Sequence, residues 1–501
     1  MVDSFRTESK GWRALFFYND PFGGNDGRFH LTTTSRTFIF FAKMTDRRSF
    51  VKASALTGLG VSILPNMGFG KSRKKKKGSD EGKARIGFIG VGLRGTWHLA
   101  NALKRDDVIV PAVCDIDPER IRLAKERLEK AGQKKVTFYT EGEDAFRKML
   151  TEEELDGVII STPWLWHTPM AVAAMKAGVY AGVEVSAATT MAECWDLVNT
   201  FEETGTPCMI LENVCYRRDV MAALNMVREG LFGEMVHARC GYMHDLRHVK
   251  FNDGKQPYGG GVEFGEKGLS EARWRTQHSV LRDADLYPTH GIGPIALMMD
   301  INRGNRFMSL TSASTKSRGL HDYIVKHGGK DHPNAKVRFK LGDVVTSTIT
   351  TANEETIIVT HDTNLPRPYS LDFRVQGTEG IWEKDANKLY IEGKSKPHRW
   401  DDSKEWLKKY DHPLWKKYEA EATGAGHGGM DFFVLNAFVE CVKQKIDPPL
   451  DAYDCAAWSA ITPLSEVSIA NNGEPQDFPD FTRGKWIKRK PVYPKQDEYL
   501  F

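Results

Sequence analysis

A glycine-rich turn at residues 90–95 constrains the fold of this chain more than any other feature. An apolar strand, residues 86–89, precedes the run Gly90-Val91-Gly92-Leu93-Arg94-Gly95, and a helix-like stretch over residues 96–103 follows it. The first glycine permits a tight strand-to-helix connection, the second lets the backbone approach a pyrophosphate, and the third lets helix and strand pack closely. The pattern predicts a dinucleotide held at a helix N-terminus, where free N–H groups favour anions.

A carboxylate at the end of the next strand supports the same interpretation. The second apolar strand, residues 108–113, leads to Asp115, which lies 25 residues after Gly90. This is near the spacing at which an acidic side chain accepts hydrogen bonds from the adenosine ribose. Asp117 stands close by and Arg120 is the first arginine that follows, so the site favours NAD over NADP. The alternative role for Asp115 is an N-cap of the following helix.

Charge is distributed unevenly along this chain of 501 residues. Residues 1–80 carry 15 Lys and Arg against 6 Asp and Glu, a surplus of nine positive charges. Because the whole chain has a net charge of +4, residues 81–501 carry a net charge of −5. A mildly acidic body argues against nucleic acid as a partner.

The basic surplus belongs to a predicted targeting segment. The pair Arg47-Arg48 precedes a short, weakly apolar stretch, residues 53–64, which is the pattern of a twin-arginine export signal that begins at Met44. Residues 1–43 would then be an over-extended gene start, and the charge run 71–77 a solvated linker. We therefore expect a periplasmic or exported protein, with a chance arginine pair as the alternative.

The rest of the composition narrows the class of protein. With 41% apolar residues, the chain can bury the cores of two domains. No later segment holds the roughly 18 apolar residues that a membrane span requires. The seven cysteines are scattered without CxxC spacing, so we interpret them as buried small side chains and predict neither a disulfide framework nor a metal site.

Strands alternate with helices from residue 85 to about residue 213. The predicted strands are residues 86–89, 108–113, 136–139, 157–160, 180–185 and 208–211. Intervening stretches such as residues 118–131 are charged and helical in period. This alternation predicts a doubly wound parallel sheet, an α/β Rossmann domain over residues 81–213.

A different pattern follows a predicted helix at residues 219–229. Consecutive strands are predicted at residues 235–242, 308–314, 336–341, 344–351, 356–361, 371–376 and 389–392. Without crossover helices, such a run implies a large, mostly antiparallel sheet, so residues 214–501 are predicted to form an α+β domain that binds substrate. Its open face would cover the carboxyl end of the first sheet, and the glycine-rich loop 253–267 is a candidate binding element.

Taken together and in order, the motifs of the chain resemble the Gfo/Idh/MocA oxidoreductase superfamily and, within it, glycoside hydrolase family 109, the NAD-dependent α-N-acetylgalactosaminidases. The resemblance covers roughly residues 84–495. It rests on Gly90 to Gly95, Ser161-Thr-Pro-Trp-Leu-Trp-His167, Glu184-Val185, Glu212-Asn213, Asp285-Leu-Tyr-Pro-Thr-His290-Gly291 and Gly426-His-Gly-Gly-Met-Asp431. It implies an NAD cofactor and a glycan or glycoconjugate substrate; the oligomeric state stays open, with a homo-oligomer as one alternative.

One departure from the superfamily pattern bears on the reaction. Ordinary sugar dehydrogenases of this superfamily carry Glu-Lys-Pro at the end of the fifth strand, and the lysine assists proton removal from the oxidised hydroxyl. Here that place holds Glu184-Val185-Ser186. A simple dehydrogenase would lack its usual base, whereas family 109 is similar to this sequence.

The resemblance assigns two sets of binding residues. It implies that the cofactor is lined by Gly90, Gly92, Leu93, Arg94, Gly95, Asp115, Trp164, Leu165, Trp166, His167, Glu184, Val185 and Asn213. Trp164 and Trp166 are expected in a loop after a strand, and core packing is their alternative role. For the sugar it implies Tyr242, Arg275, Tyr287, Pro288, Thr289, His290 and Tyr369.

Three residues are predicted to carry the chemistry. His290 can titrate near neutral pH and exchange a proton with a sugar hydroxyl. We assign His290 and Tyr242 to proton transfer at C3 and C2, in either order, and Glu212 is the candidate acid for the leaving group. His427, among glycines before a helix, is interpreted as a cap and left outside the site.

The implied activity is hydrolysis of terminal α-linked N-acetylgalactosamine by an NAD-dependent cycle of oxidation at C3, elimination, water addition and re-reduction. Such a cycle needs no pair of carboxylates. It also suits an exported enzyme, because no NAD pool outside the cytoplasm replaces a reduced cofactor. One alternative is an NAD-dependent sugar or inositol dehydrogenase, which the missing lysine disfavours. The other is a cofactor-holding protein without turnover, which His290 and Tyr242 disfavour.

Overall fold

The computed structural model describes residues 82–491, so the predicted export signal and basic linker lie outside the described residues. The first sheet consists of short apolar strands that are buried along most of their length, as in a parallel sheet covered on both faces. Its strands are β1 Ala84–Ile89, β2 Val108–Ile109, β3 Ala112–Cys114, β4 Thr137–Tyr139, β5 Gly157–Ile160, β6 Tyr180–Val183 and β7 Cys208–Ile210. The helices between them are α1 Leu93–Ala102, α2 Pro118–Lys130, α3 Ala145–Glu152, α4 Trp164–Lys176 and α5 Met191–Thr204.

The topology of this sheet places a ligand crevice beside the glycine-rich turn. All its strand pairs are parallel, in the order β4-β3-β1-β5-β6-β7, with β2 pairing the start of β1. The connections after β1 and β5 therefore diverge to opposite sides of the sheet. In doubly wound sheets ligands bind at the carboxyl ends of strands where the order reverses. The predicted Rossmann arrangement is confirmed.

The predicted strand 108–113 is wrong as a single element. Two short strands replace it, β2 and β3, and Pro111 lies between them. Proline has no N–H to donate to a ladder, so the pairing with β1 is interrupted there. The Pro111 carbonyl still accepts from the Thr137 N–H at 2.9 Å.

The second sheet holds the remaining strands. These are β8 Met235–Met243, β9 Phe307–Ser314, β10 Val344–Thr351, β11 Thr356–Asp362, β12 Arg374–Gly377, β13 Gly380–Glu383, β14 Lys388–Ile391, β15 Asp401–Asp402 and β16 Gln476–Asp477. Their order is β15-β14-β13-β12-β8-β11-β10-β9-β16. Every neighbouring pair is antiparallel except β8 and β11, which run parallel and set Tyr242 opposite His361. The prediction of a large, mostly antiparallel sheet is confirmed.

The predicted strand 336–341 is wrong. A 3₁₀ turn occupies Pro333–Lys336, and the next residues bond to the end of a helix instead of a strand, since the N–H groups of Lys340 and Leu341 donate to the carbonyls of Val280 and Ser279. Phe339 is buried in a small cluster with Phe251. Its apolar alternation therefore reflects packing of a loop.

Helices complete the second half of the chain. They are α6 Arg218–Arg228, α7 Arg247–Lys250, α8 Glu271–Leu281, α9 Thr289–Met298, α10 Gly319–Gly328, α11 Ser403–Lys409, α12 Pro413–Ala422, α13 Met430–Gln444, α14 Ala452–Ser459 and α15 Ile461–Ala470. Further 3₁₀ turns span Asn213–Tyr216, Gly265–Lys267, His427–Gly429 and Lys485–Ile487.

Helix α13 joins the two halves of the chain. Phe438 packs onto the first sheet so closely that a Cβ atom at Gly182 would lie 2.8 Å from its ring. The Tyr180 and Phe438 ring centroids are 5.5 Å apart. Because α13 is fixed on the Rossmann sheet, its first turn comes to lie beside α1. None of the helices within residues 82–491 combines the length and apolarity needed to cross a membrane.

Candidate active site

The glycine-rich turn is open at its second glycine and closely packed at the other two. Gly90 has φ +83°, which side-chain-bearing residues rarely adopt, and a Cβ there would lie 2.6 Å from the Ser161 carbonyl. A Cβ at Gly95 would overlap the Gly90 carbonyl, so the third glycine permits the contact of α1 with β1. At Gly92 a Cβ would meet nothing within 4 Å. The open space at the second glycine is where a pyrophosphate would approach the backbone.

Asp115 is fastened to this turn. Its Oδ2 accepts from the Val91 N–H at 2.8 Å, and its Oδ1 accepts from the Asp117 N–H at 2.9 Å. Burial raises the pKa of Asp115, which these backbone bonds oppose. Asp117 is the N-cap of α2 and accepts from the Glu119 N–H at 2.9 Å, so the alternative capping role for Asp115 is wrong. Each Asp115 carboxylate oxygen has a further lone pair that can accept a hydrogen bond from a ribose hydroxyl.

Arg94 is the centre of a buried ionic network. Its Nε lies 2.5 Å from Glu184, and a terminal nitrogen lies 2.7 Å from Asp431 at the start of α13. His98 is 2.6 Å from the same Glu184 oxygen, and Asn213 donates to Asp431 at 2.8 Å. Burial alone would raise the pKa of Glu184, but Arg94 and His98 outweigh it and lower the value to about 2. Glu184, Arg94 and Asn213, predicted separately, are therefore brought together.

His427 lies in this network and does not cap α13, whose N-cap is Gly429, so its interpretation as a cap is wrong. Its Nδ1 is 2.8 Å from Asp431 and 3.3 Å from Arg94, while its side chain is 54% exposed. Asp431 is fully buried, and although burial opposes it, His427 and Arg94 lower its pKa. An exposed imidazole held by a buried carboxylate can carry a proton to or from a bound molecule. The histidine within the motif Gly426 to Asp431 was the available sequence signal.

The motif Trp164 to His167 forms the first turn of α4, so the expected loop is wrong. Leu165 is 56% exposed, and Trp166 packs edge-on against Phe146 with ring centroids 6.3 Å apart. The His167 nitrogens lie 2.8 and 2.7 Å from the carbonyls of Ser186 and Thr162. His167 thus ties the segments after β5 and β6 together, beneath the surface on which a cofactor would lie. Val185 is buried beside it.

Trp164 faces the second half of the chain instead. It is buried, and its ring centroid is 5.1 Å from Trp274 and 5.7 Å from Tyr287. The guanidinium of Arg275 lies over the rings of both Trp164 and Tyr287, at 5.1 and 4.9 Å. Glu271 pairs with Arg275 at 2.6 Å. Trp164 therefore connects the predicted cofactor residues to the predicted sugar residues.

The predicted sugar residues form an aromatic cluster at the carboxyl end of β8. Tyr242 lies 4.7 Å from Tyr287, 5.4 Å from His290 and 6.3 Å from Tyr369 between ring centroids. Pro288 and Thr289 begin α9, which directs His290 into the cluster. Burial raises the pKa of Tyr242 to about 12, against the opposing effect of Arg275. Tyr369 is 45% exposed and lies at the solvent-accessible side of the aromatic cluster.

Glu212 is the partner of His290. Both carboxylate oxygens lie within hydrogen-bond distance of Nδ1, at 2.7 and 2.9 Å, and one also accepts from the Val214 N–H. Glu212 is 0% exposed. A carboxylate buried beside His290 orients the imidazole, and its role as an acid for the leaving group stays a prediction.

Two further residues, His244 and Asp285, form hydrogen bonds with members of the aromatic cluster. His244 lies two residues after Tyr242, and its Nδ1 is 3.1 Å from the Tyr242 hydroxyl; no sequence motif marked it. Asp285, which belongs to the same motif as His290, accepts from the Tyr287 N–H at 3.0 Å and supports the chain before α9. Burial raises the pKa of Asp285 to about 7.

No cluster of three or more His, Cys, Asp or Glu side chains suited to a metal occurs within residues 82–491. The seven cysteines, all in that range, are buried and free. The acceptors near the glycine-rich turn instead suit the hydroxyl and amide groups of a dinucleotide. They are the Asp115 carboxylate and the Asn213 Oδ1, which has no partner among the described residues, and Gly92 leaves open space beside them.

Family models match both halves of the chain. The model described as oxidoreductase family, NAD-binding Rossmann fold, matches residues 84–211. The model described as glycosyl hydrolase 109, C-terminal domain, matches residues 216–488.

Curated relatives align over nearly their whole length. An α-N-acetylgalactosaminidase of Tannerella forsythia is 55% identical over 462 residues, which is 89% of this chain and 99% of that protein. A glycosyl hydrolase family 109 protein of Parabacteroides distasonis is 55% identical over 460 residues, with the same coverage. Among solved structures, levoglucosan dehydrogenase in complex with NADH and L-sorbose has a TM-score of 0.56 at 19% identity over 79% of this chain and 99% of its own. That likeness shows the fold.

Proposed function

Because the chain belongs to glycosyl hydrolase family 109, we propose that this glycoside hydrolase releases terminal α-linked N-acetylgalactosamine in an NAD-dependent cycle that returns the cofactor to its starting state. The observation that carries the proposal is the contact of Trp164, at the start of α4, with the Tyr287, Tyr242 and His290 cluster. Groups that can move protons on a sugar thereby adjoin the edge of a sheet that binds dinucleotides.

The residues that would hold NAD follow from the geometry. Gly92 would leave space for the pyrophosphate, while Gly90 and Gly95 permit the tight turn and the contact of α1 with β1. Asp115 would accept from the adenosine ribose, and Arg94, Glu184 and Asn213, joined in one network, would line the cofactor. When bound, NAD would supply a hydride acceptor for C3 of the sugar and later the hydride that reduces C3 again. The ketone at C3 in between would make the C2 proton acidic, so that the C1 substituent can leave and water can add.

The protons of this cycle are moved by the protein. Tyr242 and His290 act at the C3 hydroxyl and at C2, and Glu212 keeps the His290 imidazole oriented with Nδ1–H donating to the carboxylate. Glu212 stays the candidate acid for the departing group, and His427, exposed and held by Asp431, is a second candidate. No pair of carboxylates is needed, because NAD-dependent glycosidases do not pass through the usual displacement.

Export is part of the same proposal. The pair Arg47-Arg48 directs the folded protein through the twin-arginine pathway, which allows NAD to be loaded in the cytoplasm. A redox-neutral cycle then sustains turnover where NAD is not replaced.

The second candidate is an NAD-dependent sugar or inositol dehydrogenase, because the structural neighbours include a dehydrogenase with NADH and a sugar. By the resemblance, Val185 stands where such enzymes carry their lysine, which disfavours this function.

The test is an assay of the protein as purified, with no NAD added, against nitrophenyl glycosides. We expect release from the α-N-acetylgalactosaminide, and we expect mass spectrometry of the denatured sample to detect close to one NAD per chain. Accumulation of NADH without release of nitrophenol would establish the dehydrogenase instead. Activity of a sample that contains no NAD would contradict the cycle.

A further inference from the structure

The Tyr242 phenol has a second neighbour that can take a proton. His244 lies at the end of β8, half-buried, with its Nδ1 3.1 Å from the Tyr242 hydroxyl. Tyr369 packs edge-on against the His244 ring, with centroids 5.1 Å apart, and the His244 N–H donates to the Asp362 carbonyl at 2.9 Å. Backbone and ring are thus both held, and the imidazole faces the phenol from the side of Tyr369.

A phenol needs such a neighbour if it is to act as a base. With the pKa of Tyr242 raised to about 12 by burial, the phenolate would make up only about one part in 10⁵ near pH 7. Passing the phenol proton to a base while the phenol oxygen accepts another avoids this rare state. The imidazole of His244 is the base within hydrogen-bond distance of that hydroxyl among the described residues.

The surroundings of His244 keep its imidazole ready to accept. Burial is the largest cause that lowers the pKa of His244. The facing groups His248 on α7, Arg275 on α8 and His290 on α9 lower it further. Asp245 opposes them. The neutral ring is therefore favoured, with Nδ1 as acceptor for the Tyr242 hydroxyl.

We propose that His244 is a positioning residue that acts through Tyr242, receiving the phenol proton when Tyr242 takes a proton from a sugar hydroxyl. The inference rests on the proposed function. As the hydride leaves C3 for NAD, the sugar O–H bond breaks and its proton joins the Tyr242 oxygen; the phenol O–H bond breaks and its proton joins Nδ1 of His244. The return of the hydride reverses both transfers, so no proton or electron is left over.

The pair His244→Asn and His248→Asn provides the test. Asparagine keeps an acceptor oxygen near the place of Nδ1 but cannot take a proton, and His248, four residues away, receives the same change although no hydrogen bond joins it to Tyr242 within residues 82–491. With the nitrophenyl α-N-acetylgalactosaminide, His244→Asn should lower kcat about 10- to 100-fold with KM nearly unchanged. It should also remove one ionisation from the acidic side of the pH profile of kcat. His248→Asn should leave kcat near its wild-type value and keep this ionisation, shifted toward higher pH, because His248 is one of the groups that lower the pKa of His244.

Two more measurements keep the inference falsifiable if His244→Asn folds poorly. Imidazole added to His244→Ala should restore part of kcat in proportion to its free base. In the wild-type protein, ¹⁵N NMR near pH 7 should show the His244 ring protonated on Nε2 and not on Nδ1. Protonated Nδ1, or a wild-type kcat and pH profile in His244→Asn, would overturn the role of His244. A wild-type protein that releases no sugar would contradict the proposed function instead.

Discussion

Two neighbouring aspartates have different roles: Asp115 is predicted to bind the cofactor, and Asp117 stabilises a helix. Asp115 accepts backbone N–H groups of the glycine-rich turn and its own loop, whereas Asp117 caps α2. Asp115→Ala should weaken NAD binding by about 1–3 kcal/mol, because charge-assisted hydrogen bonds to the ribose are lost. Asp117→Ala should instead lower the free energy of unfolding by about 1 kcal/mol with NAD affinity kept. Calorimetric titration and urea unfolding of both variants measure the two effects; equal loss of affinity in both would contradict the assignment.

Burial of the Asp285 carboxyl makes the stability of the protein depend on pH. Its Oδ2 has no partner among the described residues, and burial raises its pKa to about 7. Between about pH 4 and pH 7 the unfolded chain is then ionised at this carboxyl while the folded protein is not, so its stability falls as the pH rises. Asp285→Asn should remove this decline and be more stable above pH 7, by on the order of 1–3 kcal/mol. The same change at exposed Asp331 is the control, and parallel pH curves for wild type and Asp285→Asn would refute the prediction.

At the scale of elements, the turn between β1 and α1 separates packing from ligand approach. Gly95→Ala places a methyl group into the Gly90 carbonyl, so we expect a loss of about 1–3 kcal/mol in the free energy of unfolding. Gly92→Ala meets open space and should change stability by less than about 1 kcal/mol. Its NAD affinity should nevertheless fall at least about tenfold, because the methyl group occupies the approach of the pyrophosphate. Unchanged NAD affinity in Gly92→Ala would place the cofactor elsewhere.

Elements also show where sequence patterns are informative. The alternation of apolar strands and charged helices predicts the parallel sheet well, because both signals are local. The alternation of apolar and charged residues over 336–341 misleads, because Phe339 packs in a loop cluster with Phe251 that no local pattern reveals. At the site, Tyr242 and His290 are predictable from motifs. Other contacts depend on tertiary packing and have no local sequence signal. They are the pairs His290 and Glu212, Arg94 and Asp431, Tyr242 and His244, and His427 and Asp431.

At the scale of the whole molecule, α13 carries residues of the second half onto the first sheet, so that Asp431 completes the network of Arg94. The site is therefore built only when both halves have folded. This dependence fits a pathway that exports folded proteins.

The export proposal has its own test. Replacing Arg47 and Arg48 by Lys keeps the charge but should hold the protein in the cytoplasm, since the receptor reads the arginine pair. Arg73→Lys, the same change in the basic linker, should leave export intact. Fractionation of cells that produce each form measures this, and equal periplasmic yields from the double variant and the wild type would show that the signal is misread.

Cleavage of the glycoside after oxidation at C3 has an isotopic consequence at C2 of the released sugar. The nitrophenyl α-N-acetylgalactosaminide is hydrolysed in deuterated water by the protein as purified, and the released sugar is examined by NMR. Because the C2 proton must leave and be replaced, we expect deuterium at C2 of the released N-acetylgalactosamine. In a parallel incubation with the inactive variant His290→Ala, we expect no released sugar and no deuterium at C2 of the recovered glycoside. Released sugar with C2 fully protiated would contradict the oxidation and elimination route.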